Sequence, residues 1–120
     1  TSFAYTDPVA RPVRGGGLDV AFTVRNTGRR DGVTVAQVYL GPSPDLRLDQ
    51  PVRALAGYRR LALRAGERRR VTVRVTTRTL SCWDPRRHDW VLGTGRRAVW
   101  IGASSADLRL RTHGDAGARA

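Results

Sequence analysis

Several side chains of metal-ligand type lie close together in the second half of the chain, at Cys82, Asp84, His88 and Asp89. Thiolate, imidazole and carboxylate groups all bind metal ions, but their spacing here matches no known zinc or calcium pattern. A single cysteine also leaves no partner for an internal disulfide. The segment therefore predicts no metal site, and Cys82 is interpreted as a small buried hydrophobe rather than a nucleophile.

Catalytic carboxylates and phosphate-binding loops are the next features to consider. Glu67 is the single glutamate, and it lies in a polar turn followed by three arginines, which favours a solvated turn residue over a general acid or base. The glycine run Gly15–Gly17 precedes a predicted strand and lacks the helix whose N-terminus would hold an anion. The sequence thus assigns no catalytic residue and no cofactor.

Aromatic side chains offer a binding chemistry, because they can stack on the face of a sugar ring. The residues of this type that could do so are Tyr58, Trp83, Trp90 and Trp100. For Trp83 and Trp90 we favour packing at the end of a β-sandwich core, since buried aromatics dominate such cores. Trp100 differs, because Val99 and Ile101 point the opposite way and one face of this strand must meet solvent or a partner.

The elements that position these residues are strands, since apolar residues alternate with polar ones along most of the chain. A run that is apolar on both faces, Val33–Leu40, predicts a central strand. Gly57 predicts a bulge or a close backbone approach. The six clearest strands are Leu18–Arg25, Val33–Leu40, Leu55–Leu63, Arg70–Thr76, Arg97–Gly102 and Asp107–Arg111. In the last of them Leu108 and Leu110 are expected to face the core. About seven strands separated by glycine and proline turns predict an all-β fold, an antiparallel β-sandwich of immunoglobulin or fibronectin type III type.

The length of 120 residues corresponds to one domain, predicted over residues 1–112, with a disordered tail over 113–120. The net charge of +12 comes entirely from arginine, spread along the chain, and no nucleic-acid-binding motif accompanies it, so nucleic acid is not an expected partner. No apolar run approaches the roughly 20 residues of a membrane span. The chain starts at Thr1 without a methionine, which predicts a piece of a longer polypeptide whose compartment, cytoplasmic or secreted, stays open.

Five sequence blocks carry a specific resemblance in their order and spacing. They are Arg53–Tyr58 (RALAGY), Leu63–Glu67 (LRAGE), Leu80–Asp84 (LSCWD), Trp90–Gly95 (WVLGTG) and Ile101–Leu110 (IGASSADLRL). Together with the opening Thr1–Tyr5, the chain resembles the fibronectin type III-like domain at the C-terminal end of family 3 glycoside hydrolases, the β-glucosidase and β-xylosidase group. The family usually has an aromatic residue at the position of Cys82 and an acidic residue at the position of Ala54.

The resemblance implies a parent glycoside hydrolase of β-glucosidase type. Its two catalytic carboxylates lie in preceding domains, so none is carried over to this chain. The implied function is an accessory domain that packs on and stabilises those catalytic domains, with the loop Gly41–Pro51 shaping the rim of the active site. A stand-alone basic module that binds polysaccharide or an anionic surface is the alternative. The structural or interdomain candidates are Tyr58, Trp83, Asp84, Trp90 and Asp107, where Asp84 is expected to accept backbone N–H groups and Asp107 to stabilise a turn.

Overall fold

A computed structural model describes residues 2–44, 53–93 and 95–116, and within them the chain forms nine strands and one short helix. In chain order these are β1 (Phe3–Pro12), β2 (Leu18–Asn26), β3 (Gly32–Leu40), β4 (Ala54–Leu63), β5 (Arg68–Val75), α1 (Thr77–Leu80), β6 (Ser81–Asp84), β7 (Asp89–Leu92), β8 (Gly95–Ser104) and β9 (Asp107–Ala116). The loop predicted over Gly41–Pro51 falls mainly on residues 45–52, which lie outside the described residues.

Two antiparallel sheets face each other across one core. The small sheet has the order β1-β2-β5 and the large sheet has the order β4-β3-β8-β9, while β6 and β7 form a separate hairpin. At the two open sides of the sandwich, β1 lies against β9 and β4 against β5. The predicted all-β antiparallel sandwich is confirmed.

The core is built from the inward phase of the strand alternation. In β2 the buried apolar residues alternate with half-buried ones, and β5 places three buried valines between exposed arginines and threonines. The largest fully buried side chains are Phe22, Leu18, Leu40, Leu61, Leu63, Leu80 and Ile101. The alternation with a period of two, which follows from the pleat of a strand, therefore predicted correctly which side chains of β2 and β5 face the core.

Three of the nine strands were not predicted. β1 contains Pro8 and Pro12, which cannot donate to a ladder, but it is an edge strand and its pairing with β2 shifts between Thr6 and Val9, next to Asp7 at φ +54°. Edge positions and bulges are where proline is tolerated in a sheet. β6 and β7 have four residues each, too few for alternation to be recognised.

The predicted features of β3 and β4 are confirmed. β3 lies between β4 and β8, so it is central in the large sheet. The register of β3 with β4 shifts between Val38 and Tyr39, one residue from Gly57 on the partner strand. A Cβ atom on Gly57 would lie 2.6 Å from Val73 Cγ1, so the backbone of β4 approaches the small sheet closely at this bulge.

Two expectations for β9 need correction. Leu108 and Leu110 were expected to share the inward face, but the register with β8 shifts here: Leu110 lies opposite Ile101 and packs on the core, while Leu108 lies opposite Gly102. The tail was expected from residue 113, yet β9 stays paired with β8 as far as Ala116. Backbone pairing with β8 holds this segment in the sheet. The remaining division into domain and tail stays a prediction.

No helix among the described residues is long and apolar enough to cross a membrane.

Candidate interdomain surface

The β6–β7 hairpin carries the two tryptophans that were expected in the core. Trp83 and Trp90 lie opposite each other, with ring centroids 5.8 Å apart and planes at 71°. Their side chains are 47% and 44% exposed, so the interpretation as core residues is wrong. The neighbouring cross-strand pair, Cys82 and Val91, is half-buried and less exposed than the two tryptophans. Both indoles therefore lie on the more exposed side of the hairpin.

Charged and aromatic neighbours surround this tryptophan pair. The guanidinium carbon of Arg78, on α1, lies 4.2 Å from the Trp90 ring centroid, which is within cation–π range. The ring of His88 meets Trp83 edge-on at 6.5 Å. The pair is thus a small aromatic surface whose rings are nearly perpendicular, with a cation on one of them.

Asp84 and the turn that follows close the hairpin. Asp84 Oδ1 accepts the backbone N–H of Arg86 at 2.9 Å, and its other carboxylate oxygen lies 3.9 Å from Arg87 Nε. This bond is the backbone contact expected of an aspartate before Pro85, because Asp side chains commonly accept N–H groups two residues on. Asp84 therefore shapes the turn that presents the tryptophans.

Tyr58 lies on a different surface, the outward side of the large sheet. Its side chain is 68% exposed and it lies opposite Gln37 of β3. We call this surface the aromatic face and define it by the outward residues Val33, Val35, Tyr39, Leu55, Tyr58 and Trp100. Tyr39 donates its hydroxyl hydrogen to Gln37 Oε1 at 2.5 Å, which fixes the ring on this face.

Asp107 lies at the start of β9 and pairs with Arg109, whose Nη2 is 2.9 Å from Asp107 Oδ2. The hydrogen bond from Arg109 lowers the pKa of Asp107 below its ordinary value. Arg109 in turn donates to the backbone oxygen of Phe3 and lies over the Tyr5 ring at 5.1 Å. Asp107 thus orients an arginine that joins β9 to β1, rather than stabilising a turn through its own backbone contacts.

The five sequence candidates do not form one site. Trp83, Asp84 and Trp90 share the hairpin, whereas Tyr58 belongs to the aromatic face and Asp107 to the β8–β9 connection. The hairpin ends at Leu92, shortly before β8 begins at Gly95, and Asp107 follows the other end of that strand. They are better described as two outward surfaces and one structural ion pair.

Arg97 was missed by the sequence analysis, although it has a central structural role. It is only 6% exposed, and its guanidinium donates to Gly41 O at 3.0 Å and to Leu80 O at 2.9 Å. These bonds join the end of β3 and the helix α1 to β8. The one sequence feature that pointed inward is that Arg97 has the same phase as Val99 and Ile101, and it does not by itself separate a buried residue from a strand end.

Asn26 was missed in the same way at the opposite end of the sandwich. It is fully buried, follows the inward phase of β2, donates to Arg30 O and Leu63 O, and accepts the Gly28 N–H at 2.9 Å. Its side chain therefore holds the β2–β3 connection against β4.

The single glutamate is a turn residue, as its sequence context indicated. Glu67 accepts the Arg64 N–H at 2.8 Å and a bond from Arg69 at 3.0 Å, and these bonds lower its pKa. It lines a shallow depression of about 740 Å³ that also includes Asp31 and Val33. Across residues 2–44, 53–93 and 95–116, no three His, Cys, Asp or Glu side chains are grouped so that they could hold a metal ion.

Comparison with known proteins identifies the family. A family model for the fibronectin type III-like domain matches residues 34–105, more than half of the chain. This chain belongs to the fibronectin type III-like domain family. The crystal structure of DesR, a β-glucosidase from Streptomyces venezuelae, superimposes with a TM-score of 0.93 at 43% identity over 96% of this domain and 15% of that chain. A GH3 β-glucosidase from Bifidobacterium adolescentis gives 0.88 at 27% identity, covering 95% of this domain and 17% of that chain.

Curated sequences give the same result. A probable β-glucosidase L of Aspergillus fumigatus is 42% identical over 90 residues, and a probable β-glucosidase D of Aspergillus niger is 35% identical over 130 residues. The fibronectin type III-like domain spans only 12% and 17% of their respective lengths. The predicted resemblance to a small part of family 3 β-glucosidases is confirmed.

Proposed function

We propose that this fibronectin type III-like domain is a non-catalytic accessory domain of a family 3 β-glucosidase, which packs on the catalytic domains and stabilises them. The observation that carries the proposal is coverage: almost all of this chain aligns with 15% of one β-glucosidase and 17% of another. Chemistry within the chain agrees, because the lone glutamate is engaged within its own turn.

The exposed aromatic side chains give the packing role a physical basis. Interface centres are enriched in tyrosine, tryptophan and arginine, and this domain turns Tyr58, Trp83 and Trp90 outward. Such residues lose unfavourable contact with water when another domain covers them. The apolar surface of these exposed side chains can therefore favour association with another domain.

Two measurements test this function. Reading the coding DNA upstream of Thr1 should reveal an in-frame glycoside hydrolase body, and an unrelated module or a stop codon there would remove the basis of the proposal. The purified 120-residue chain should leave an aryl β-glucoside intact under conditions where a complete β-glucosidase cleaves it. Hydrolysis by this chain at enzyme-like rates would contradict the assignment directly.

A second candidate, a binding module for polysaccharide or an anionic surface, is favoured by the exposed Trp83–Trp90 pair and by the net charge of +12. The planes of the two indoles cross at 71°, so they do not form one flat platform for successive sugar rings. Retention on an anionic polysaccharide column that survives physiological salt would favour this candidate, because a diffuse basic surface is screened under those conditions.

A further inference from the structure

The inner strand β3 of the large sheet carries apolar residues on its outward side, which is unusual for a sandwich whose outer faces meet water. Strands of antiparallel sheets that face water on one side alternate between apolar and polar residues, and β5 follows this rule. β3 does not, since Val33 and Val35 point outward and are 50% and 37% exposed. A central strand with this composition is typical of sheets that are covered on both faces.

The other outward apolar residues of the large sheet lie on the same side as these valines, and of these Leu55 and Tyr58 are exposed whereas Tyr39 and Trp100 are half-buried. Leu55 of β4, Tyr39 of β3 and Trp100 of β8 are direct cross-strand partners in one row, and Tyr58 and Gln37 form the adjacent row. Directly paired residues of an antiparallel ladder lie on the same face. The aromatic face is therefore one continuous surface that crosses three strands.

Arginines frame this surface. The guanidinium carbons of Arg53 and Arg111 each lie 5.5 Å from the Trp100 ring centroid, and Arg60 is the cross-strand partner of Val35. An apolar centre with a charged rim is the usual anatomy of a protein interface. The basic rim requires carboxylates on the surface that covers it, since like charges would repel it.

The outward side of the small sheet is built differently. Arg74 pairs there with Asp19, and Arg70 donates to Thr23 Oγ1 and to the Asp7 backbone oxygen. The outward residue between these arginines, Thr72, is exposed and polar. Among the described residues of this face, the apolar side chains include the small, half-buried Val9 and Ala21, and no large hydrophobic side chain is exposed.

We propose that the aromatic face is the surface by which this domain docks onto the remainder of its own polypeptide, while the outward face of the small sheet stays in solvent. The proposal rests on the proposed accessory function, and the occupant is a surface of the preceding β-glucosidase body with an apolar centre and a carboxylate rim. The relative lengths of the two chains support this occupant. Nearly the whole of this domain matches a β-glucosidase, but it accounts for only 15% of that chain, so most of the β-glucosidase lies outside the domain.

Cysteine labelling of the complete polypeptide tests the proposal. Tyr58→Cys and Val35→Cys place a thiol on the aromatic face, and Thr72→Cys is the matched control at the middle of an outward strand in the small sheet. Each variant is treated with a bulky maleimide, and labelling of the introduced thiol is followed by peptide mass spectrometry, so that other cysteines do not interfere. We expect Tyr58→Cys and Val35→Cys to react at least tenfold more slowly than Thr72→Cys, and all three to react alike in denaturant.

The outcomes separate the docking surface from the accessory function. Equal native rates for Tyr58→Cys and Thr72→Cys would overturn the docking surface. If Trp90→Cys were then the protected variant, docking would occur through the hairpin and the accessory function would survive. Protection of Thr72→Cys would contradict a solvent-facing small sheet. Absence of a β-glucosidase body upstream would contradict both proposals. That test is independent of the labelling of Tyr58→Cys.

Discussion

Both sheets of this domain place alternate apolar side chains in the core, but their outward faces differ. The outward face of the small sheet is mainly polar, and that of the large sheet is mainly apolar. The small sheet presents threonines and an Arg74–Asp19 pair to solvent, whereas the large sheet presents Val35, Tyr58 and Trp100. Toward the core, each sheet buries one polar residue in phase with apolar neighbours, Asn26 in the small sheet and Arg97 in the large sheet. The inward faces follow from folding, and the docking proposed above would account for the difference between the outward faces.

Among substitutions of polar residues, replacing the buried arginine of the large sheet should have the largest effect on stability. Arg97→Leu removes the guanidinium donor from Gly41 O and from Leu80 O, and Leu80 O then keeps only the longer bond from the Gly93 N–H. Each such loss costs about 1–3 kcal/mol, so the free energy of unfolding should fall by about 3 kcal/mol in urea titrations. Arg96→Leu, at the adjacent exposed position, is the control, and an equal loss there would contradict the role of Arg97.

The corresponding change in the small sheet should cost less. Asn26→Ala removes bonds to Arg30 O, Leu63 O and the Gly28 N–H, but Arg30 lies at an exposed turn where water can replace the lost partner. We expect a loss of about 2 kcal/mol by urea unfolding. Thr27→Ala, which removes one exposed bond to Ser2 O, should cost clearly less. If Asn26→Ala and Thr27→Ala were equally stable, Asn26 would not hold the β2–β3 connection against β4.

Apart from the proline-containing β1, the longer strands and most of their inward faces were predictable, because a period of two is visible over runs of at least six or so residues. β5 and β2 meet that condition. Asn26 and Arg97 were not recognised, since polar residues in the inward phase look like strand ends unless their hydrogen-bond partners are known. Those partners, Leu63 O and Leu80 O, lie 37 and 17 residues away in sequence.

The outward surfaces were less predictable for a different reason. Tryptophan is a residue type common in cores, so the sequence favoured burial of Trp83 and Trp90. That both indoles lie on the outward side became visible only from the pairing of the two four-residue strands. Tyr58 was named as an interdomain candidate from the family resemblance, but the register shift between Val38 and Tyr39 is what places Leu55 on the same face as Tyr58. A shift of one residue reverses the face on which every side chain lies, and sequence alone does not fix it.

The hairpin tryptophans should contribute to stability as surface residues do. Trp90→Ala removes the edge-to-face contact with Trp83 and the Arg78 cation–π contact, which together amount to about 1 kcal/mol. Phe22→Ala, at a fully buried aromatic position, should cost about 3–5 kcal/mol and is the comparison within the core. A loss for Trp90→Ala as large as that for Phe22→Ala, measured by urea unfolding, would mean that the hairpin belongs to the core.

The smallest effect is expected on the polar face of the small sheet and depends on pH. The hydrogen bond from Arg74 lowers the pKa of Asp19 below its ordinary value of 3.8, so the folded state binds a proton there less readily than the unfolded state. The stabilisation is therefore fully present above pH 3.8 and is lost as the pH falls through the lower folded-state pKa.

Asp19→Asn should accordingly lower the urea midpoint slightly at pH 7, by less than Trp90→Ala does, because exposed ion pairs contribute little. The difference from the wild-type chain should shrink as the pH is lowered below 3.8, since protonation of Asp19 then removes the pair from the wild type as well. High salt should reduce the same difference at pH 7. A midpoint difference that stays constant from pH 7 down to pH 2 would show that Asp19 acts through packing, and the small sheet's outward face would then resemble the aromatic face more than its charges suggest.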